Sequence, residues 1–174
     1  MNVNFVFKEF KLLILICSVV LLVSFCIGLF TSGQAQVDED LLRVGFVSIL
    51  KNNLLAALNL SSGLFTFGLS SLISLIINGL VIGNAVKSSS YFLHWYEIIL
   101  RILPHGIFEI PGIIIASTVG LSPIKLIFDL VKGKKIKLRL YVNQLFILIS
   151  ISVILIVIAA FVEAFISDYF VNVG

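Results

Sequence analysis

Charge is what this chain has least of. Only 12% of its 174 residues are Asp, Glu, Lys or Arg, against roughly a quarter in soluble globular domains, so a water-soluble fold is excluded. Histidine and cysteine number two each, methionine and tryptophan one each. Too few ligands remain for a Cys/His zinc module, and Cys17 and Cys26 share one apolar stretch where a thiol behaves as a small hydrophobe. No Ser-His-Asp arrangement or Cys-His pair is visible, and the length leaves no room for a soluble catalytic domain. No cofactor is expected.

Apolar residues fill the space: 60% of the chain is hydrophobic, fifteen residues are Phe, and the mean hydropathy is +1.19. Lipid is therefore the solvent. The predicted fold class is an all-α polytopic transmembrane helical bundle, a single integral membrane domain over 1–174, since each crossing needs about 20 mostly apolar residues. Five segments qualify, at approximately 12–30, 44–60, 63–86, 98–121 and 140–165. The first follows Lys8 and Lys11 and is longer than the apolar core of a signal peptide, so an uncleaved helix is expected. The second is interrupted by Lys51, Asn52, Asn53 and Asn59, and its alternative is a surface or re-entrant helix.

Charge settles the parity. Lys125, Lys132, Lys134, Lys135, Lys137 and Arg139 crowd before the last span, and the positive-inside rule assigns them, with the amino terminus, to the cytoplasm. Asp38, Glu39 and Asp40 then lie outside. An odd number of crossings must separate the acidic loop from the basic one, which makes 44–60 the third and puts the carboxyl terminus outside. The six cations also suit anionic headgroups, so membrane lipid is an expected partner. Without interleaved aromatics they do not point to nucleic acid.

Polar groups inside such segments are expensive and usually face a bundle interior. The run Leu103-Pro104-His105-Gly106-Ile107-Phe108-Glu109-Ile110-Pro111-Gly112 concentrates them. Pro104 reads as a helix start or a break in a longer helix, with Pro111 a second interruption, and Gly106 leaves space for a neighbouring backbone. On a helix His105 and Glu109 can hydrogen-bond. Continuity through Pro104 would add Arg101 and Glu97 to the same stripe. Glu163, beside the small residues Ala159, Ala160 and Ala164, completes the candidate polar core together with Asn53 and Asn78. Asn78 is expected to satisfy backbone groups freed at Pro104, and Gly79 and Gly83 to pack their span closely against the motif helix.

Pro-His-Gly-x-x-Glu-x-Pro, followed by Ile113-Ile114-Ile115-Ala116 and Gly120-Leu121, resembles the signature of the stage II sporulation protein M family of bacterial and archaeal integral membrane proteins. Asn52-Asn53-Leu54, Gly63-Leu64-Phe65-Thr66-Phe67-Gly68, Asn78-Gly79 with Gly83, and Val162-Glu163-Ala164-Phe165 agree in order, so the likeness runs from about Leu50 to Phe165. The resemblance implies a protein of the bacterial cell membrane that works through partners in engulfment during sporulation, organising cell-wall-degrading proteins. Similar small proteins accompany circular bacteriocins as immunity or export factors.

Three classes of function compete for the polar residues. They can lock the helices into a scaffold for other membrane or cell-envelope proteins, an ABC transporter among the candidates, or for a homo-oligomer. They can bind a proton or cation in a transport path through Glu109, His105 and Glu163. Or the same three can hold a metal that activates water, although His-x-x-x-Glu is not the spacing of a zincin helix and His94, beside Trp95 and Tyr96, reads as an interfacial residue.

Overall fold

The computed structural model describes residues 2–31 and 45–167. Six α-helices follow one another: α1 Val3–Phe30, α2 Phe46–Ser61, α3 Leu69–Ser89, α4 Trp95–Gly120, α5 Ser122–Val131 and α6 Leu138–Val162, the last continuing into a π-helical turn, Glu163–Ser167. The fold class is as expected, and no strand occurs among the described residues. The acidic loop with Asp38, Glu39 and Asp40 lies outside the described residues, as does the chain beyond Ser167.

Local chemistry places the ends. The Asn2 side chain accepts a hydrogen bond from the Asn4 amide at 3.1 Å, capping α1. The Thr31 hydroxyl donates to the Gly28 carbonyl at 2.7 Å, closing the other end. At the start of α4 the Glu97 carboxylate accepts from the His94 amide at 2.8 Å. Helix α5 ends where Gly133 adopts φ of 74°, with the Gly133 amide on the Leu130 carbonyl and the Lys134 amide on that of Asp129. This is a Schellman closure, whose left-handed residue favours glycine.

Four helices, α1, α3, α4 and α6 with its extension, are long and apolar enough to cross a membrane. Helix α2, with 16 residues, is about 24 Å long. It nevertheless runs from one end of the bundle to the other. Its first residue, Phe46, stacks against Phe161 and Phe165 at the end of α6, with ring centroids 6.4 Å and 5.8 Å away. Its last turn meets the start of α3 and the end of α4, where Ser71 donates to the Leu60 carbonyl. At this second end also lie the start of α1 and the start of α6, through Phe10 and Tyr141 at 6.1 Å. The five helices α1, α2, α3, α4 and α6 thus alternate in direction, and the start of α1 and the end of α6 are at opposite ends.

Lipid supplies no hydrophobic drive between helices, so they associate where their surfaces come closest. Helices α1 and α3 meet through glycine. A Cβ on Gly28 would strike the Leu80 carbonyl, one on Gly83 the Phe25 carbonyl, and one on Gly79 would lie 2.5 Å from Ser24 Cβ. The expectation that Gly79 and Gly83 face the motif helix is therefore corrected: their close partner is α1, whose Ser24 and Gly28 supply the matching small surface. Gly63, Gly120 and Ser71 make a second such junction where α2, α3 and α4 converge: a Cβ on Gly63 would lie 2.8 Å from the Gly120 carbonyl oxygen.

The segment after α4 is helix α5 rather than a bare basic loop. Its Asp129 is buried and takes Lys125 at 2.5 Å and Lys134 at 2.7 Å, while Lys125 also lies 3.6 Å from Glu9 of α1. The Tyr141 hydroxyl of α6 donates to the Ser122 carbonyl at 2.7 Å. Two of the six cations are thus structural ties between α5, α1 and the loop that leads to α6. Burial alone would push the Asp129 carboxyl up, but the hydrogen bonds and charges of Lys125 and Lys134 hold it below the ordinary carboxylate value.

A carboxyl depressed in the folded state contributes stability above its unfolded value and loses it as pH falls through its folded value. Asp129→Asn should therefore destabilise the purified protein at neutral pH by about 2 kcal/mol, the scale of a charged hydrogen bond. In thermal unfolding the gap between wild type and variant should close below about pH 4. A gap that persists unchanged to pH 3 would remove the ion pairs as its cause.

Candidate functional site

Helix α4 is continuous from Trp95 to Gly120 and contains both Pro104 and Pro111. Neither proline starts or ends it. Each removes one backbone donor, leaving the carbonyls of Leu100 and Ile107 without their usual i+4 partners. Continuity carries Glu97, Arg101, His105 and Glu109 in four-residue steps. Each step advances the direction by about 40°, so the stripe coils around the helix. Glu97 is spent on the His94 amide at the helix start, whereas Glu109 lies deep in the bundle. Arg101 is half-buried and itself engaged.

The deep part of the stripe faces α6. Gly112, one turn after Glu109 and absent from the predicted set, is the contact point: a Cβ there would lie 2.9 Å from Ile156, and Ser152 of α6 donates to the Gly112 carbonyl at 2.8 Å. Beyond this clamp the π-helical turn lies against α4, and Glu163 comes within electrostatic reach of Glu109. The motif and the final Glu-Ala-Phe, more than fifty residues apart in the chain, therefore meet in one place. Phe161 and Phe165, 4.7 Å apart, and Phe46 of α2 pack about the same end of α6.

Other expectations give way to local bonding. His105 and Glu109 share no hydrogen bond; the His105 Nδ1 is buried without a partner among the described residues. Asn78 does not reach Pro104, since its amide donates to the Ser74 carbonyl of its own helix at 2.7 Å. Gly106 is buried, but a Cβ there would meet within 4 Å only the Ile110 and Ile102 side chains of its own helix, at 3.9 Å and 4.0 Å, so no neighbouring backbone uses the space. Asn53 is buried on the inner side of α2, its Nδ2 unpaired. Among the described residues no group of three His, Cys, Asp or Glu side chains is close enough to share a metal ion. His105, Glu109 and Glu163 therefore do not converge as a ligand set.

Several polar residues were invisible to motif reading because serine and threonine are common in membrane helices. Ser117 and Thr118 donate to the carbonyls of Ile113 and Ile114, both at 2.8 Å, and Thr118 also reaches the Cys17 sulfur at 3.8 Å. Ser71 and Ser152 donate to carbonyls of other helices, and each does so where a glycine removes a side chain. The spacing of small residues was the available signal.

The model of the stage II sporulation protein M family matches residues 12–168, the span that holds the α4 motif and the Glu163 turn. The chain belongs to this family. Two relatives within reach of direct comparison are uncharacterized proteins of Methanocaldococcus jannaschii. One is 40% identical over 139 residues, covering 75% of this chain and 78% of that protein. The other is 28% identical over 138 residues, and the match spans only 58% of its length. No solved structure matches the chain.

The geometry separates two kinds of polar residue. Ser152→Ala should lower stability by about 1 kcal/mol, because it removes the hydroxyl bond that ties α6 to the Gly112 carbonyl in an apolar interface. Glu109→Gln should accumulate at the wild-type level with an equal or higher unfolding midpoint, since it removes one of two neighbouring carboxylates and breaks no hydrogen bond. A Gln variant that fails to accumulate, compared by membrane yield and thermal unfolding in detergent, would show an attractive partner for Glu109.

Proposed function

We propose that this protein is a non-enzymatic integral membrane scaffold that organises partner proteins, as the sporulation-type members of its family are understood to do. The observation that carries this reading is the economy of its interior. Interhelical space is closed by glycine contacts, by Ser71 and Ser152, and by Thr118 against the Cys17 sulfur, while Ser24, Asn78 and Ser117 bond to their own helices. Such a bundle is built to hold a shape. The amino terminus and the α5 segment lie in the cytoplasm by the positive-inside rule, with the carboxyl terminus outside.

The neighbouring Glu109 and Glu163 favour one second reading, a proton- or cation-linked transport path through α4 and α6. Cross-linking in native membranes followed by purification should recover a stoichiometric partner. Its identity distinguishes an engulfment-like assembly from immunity or secretion of a circular bacteriocin. Purified protein that alone conducts protons or cations in proteoliposomes, with conduction lost in Glu109→Gln, would replace the scaffold by the transporter.

Orientation has its own test. Reporter fusions after Gly133 should report the cytoplasm and fusions after Gly174 the outside. A cytoplasmic carboxyl terminus would remove the crossing by α2.

A further inference from the structure

Helix α2 and helix α6 diverge on the outer side of the bundle and leave a groove of about 780 Å³. Its walls are apolar: Leu50, Leu54 and Leu58 of α2 face Ile149 and Val153 of α6. The groove runs nearly the whole length of α2, from Val47 to Phe65 just past its end, a distance of more than 20 Å at 1.5 Å per residue. A long, narrow apolar slot beside a membrane helix has the dimensions of a hydrocarbon chain.

One wall residue is charged. Lys51 lines the groove, is exposed, and forms none of the ion pairs among the described residues. It stands five residues into α2, so about 7 to 8 Å from the end where Phe46 packs on Phe161 and Phe165. A lysine at that depth extends its stem along apolar surface and brings its ammonium to the headgroup level. An ammonium at the mouth of a hydrocarbon-shaped slot calls for an anion that carries a hydrocarbon tail.

We propose that the α2–α6 groove is a binding site for one anionic membrane lipid, its chain lying along Leu50, Leu54 and Leu58 and its phosphate paired with Lys51. The site explains why α2, the shortest and most polar of the five traversing helices, remains beside α6: the lipid fills the space that a longer side chain or a second helix would otherwise occupy. The proposal stands apart from the scaffold reading and does not depend on it.

The test is native mass spectrometry of the full chain released from detergent with phosphatidylglycerol or phosphatidylcholine of matched chain length. Wild type should retain a single phosphatidylglycerol about fivefold more readily than phosphatidylcholine, the scale expected of one lysine beside an anionic headgroup. Lys51→Gln should erase that preference, and Leu58→Trp should reduce retention of both lipids by filling the groove. Thermal unfolding of each variant checks that it is folded. Equal retention of the two lipids by wild type, an undiminished preference in Lys51→Gln, or a lipid-free dimer with the groove closed by a second copy would each overturn the assignment.

Discussion

The structure depends on one constraint of the bilayer: helices that cannot be pressed together by water must be brought within van der Waals contact of each other's backbones. Three places achieve it. Gly28, Gly79 and Gly83 join α1 to α3; Gly63 and Gly120 join α2 to α4 beside Ser71; and Gly112 admits Ile156 of α6. Two hydroxyls, from Ser71 and Ser152, then cross between helices to carbonyls exposed by that closeness. Remove the small residues and the bonds have no reach.

The same constraint produces the polar site. The clamp at Gly112 and Ser152 sets the level at which α6 passes α4, and only that level carries the π-helical turn to Glu109. A π turn inserts an extra residue into the helix repeat and redirects the side chains beyond it, a device common at functional sites. Here it presents Glu163 on the α4 side while Phe161 and Phe165 pack with Phe46 of α2. The approach of the Glu163 turn to α4 is a consequence of backbone packing.

At the opposite end, electrostatics takes over from packing because water is present. Asp129 gathers Lys125 and Lys134, Lys125 reaches Glu9, and the Lys125 ammonium lies 5.3 Å above the Phe10 ring. This cluster fastens α5 across the bundle end and leaves Lys132, Lys135, Lys137 and Arg139 exposed. One group of cations serves the fold and the other stays exposed, a division that counting charge does not reveal.

Composition and segment length by themselves determined that this is a helical membrane bundle, and charge placement made an odd number of crossings between the acidic and basic loops the expectation. Both are additive properties, read from each residue without knowing its neighbours in space. The Pro-His-Gly-x-x-Glu-x-Pro run likewise determined the family. What only tertiary structure decided was which surfaces meet: that Gly79 and Gly83 serve α1, that Asn78 bonds within its own helix, that His105 and Glu109 stay apart, and that Glu109 meets Glu163. Segments apolar on every side carry no stripe to mark the buried face, so partner choice rests on the fit of small residues across interfaces, and that fit exists only once the helices are in place.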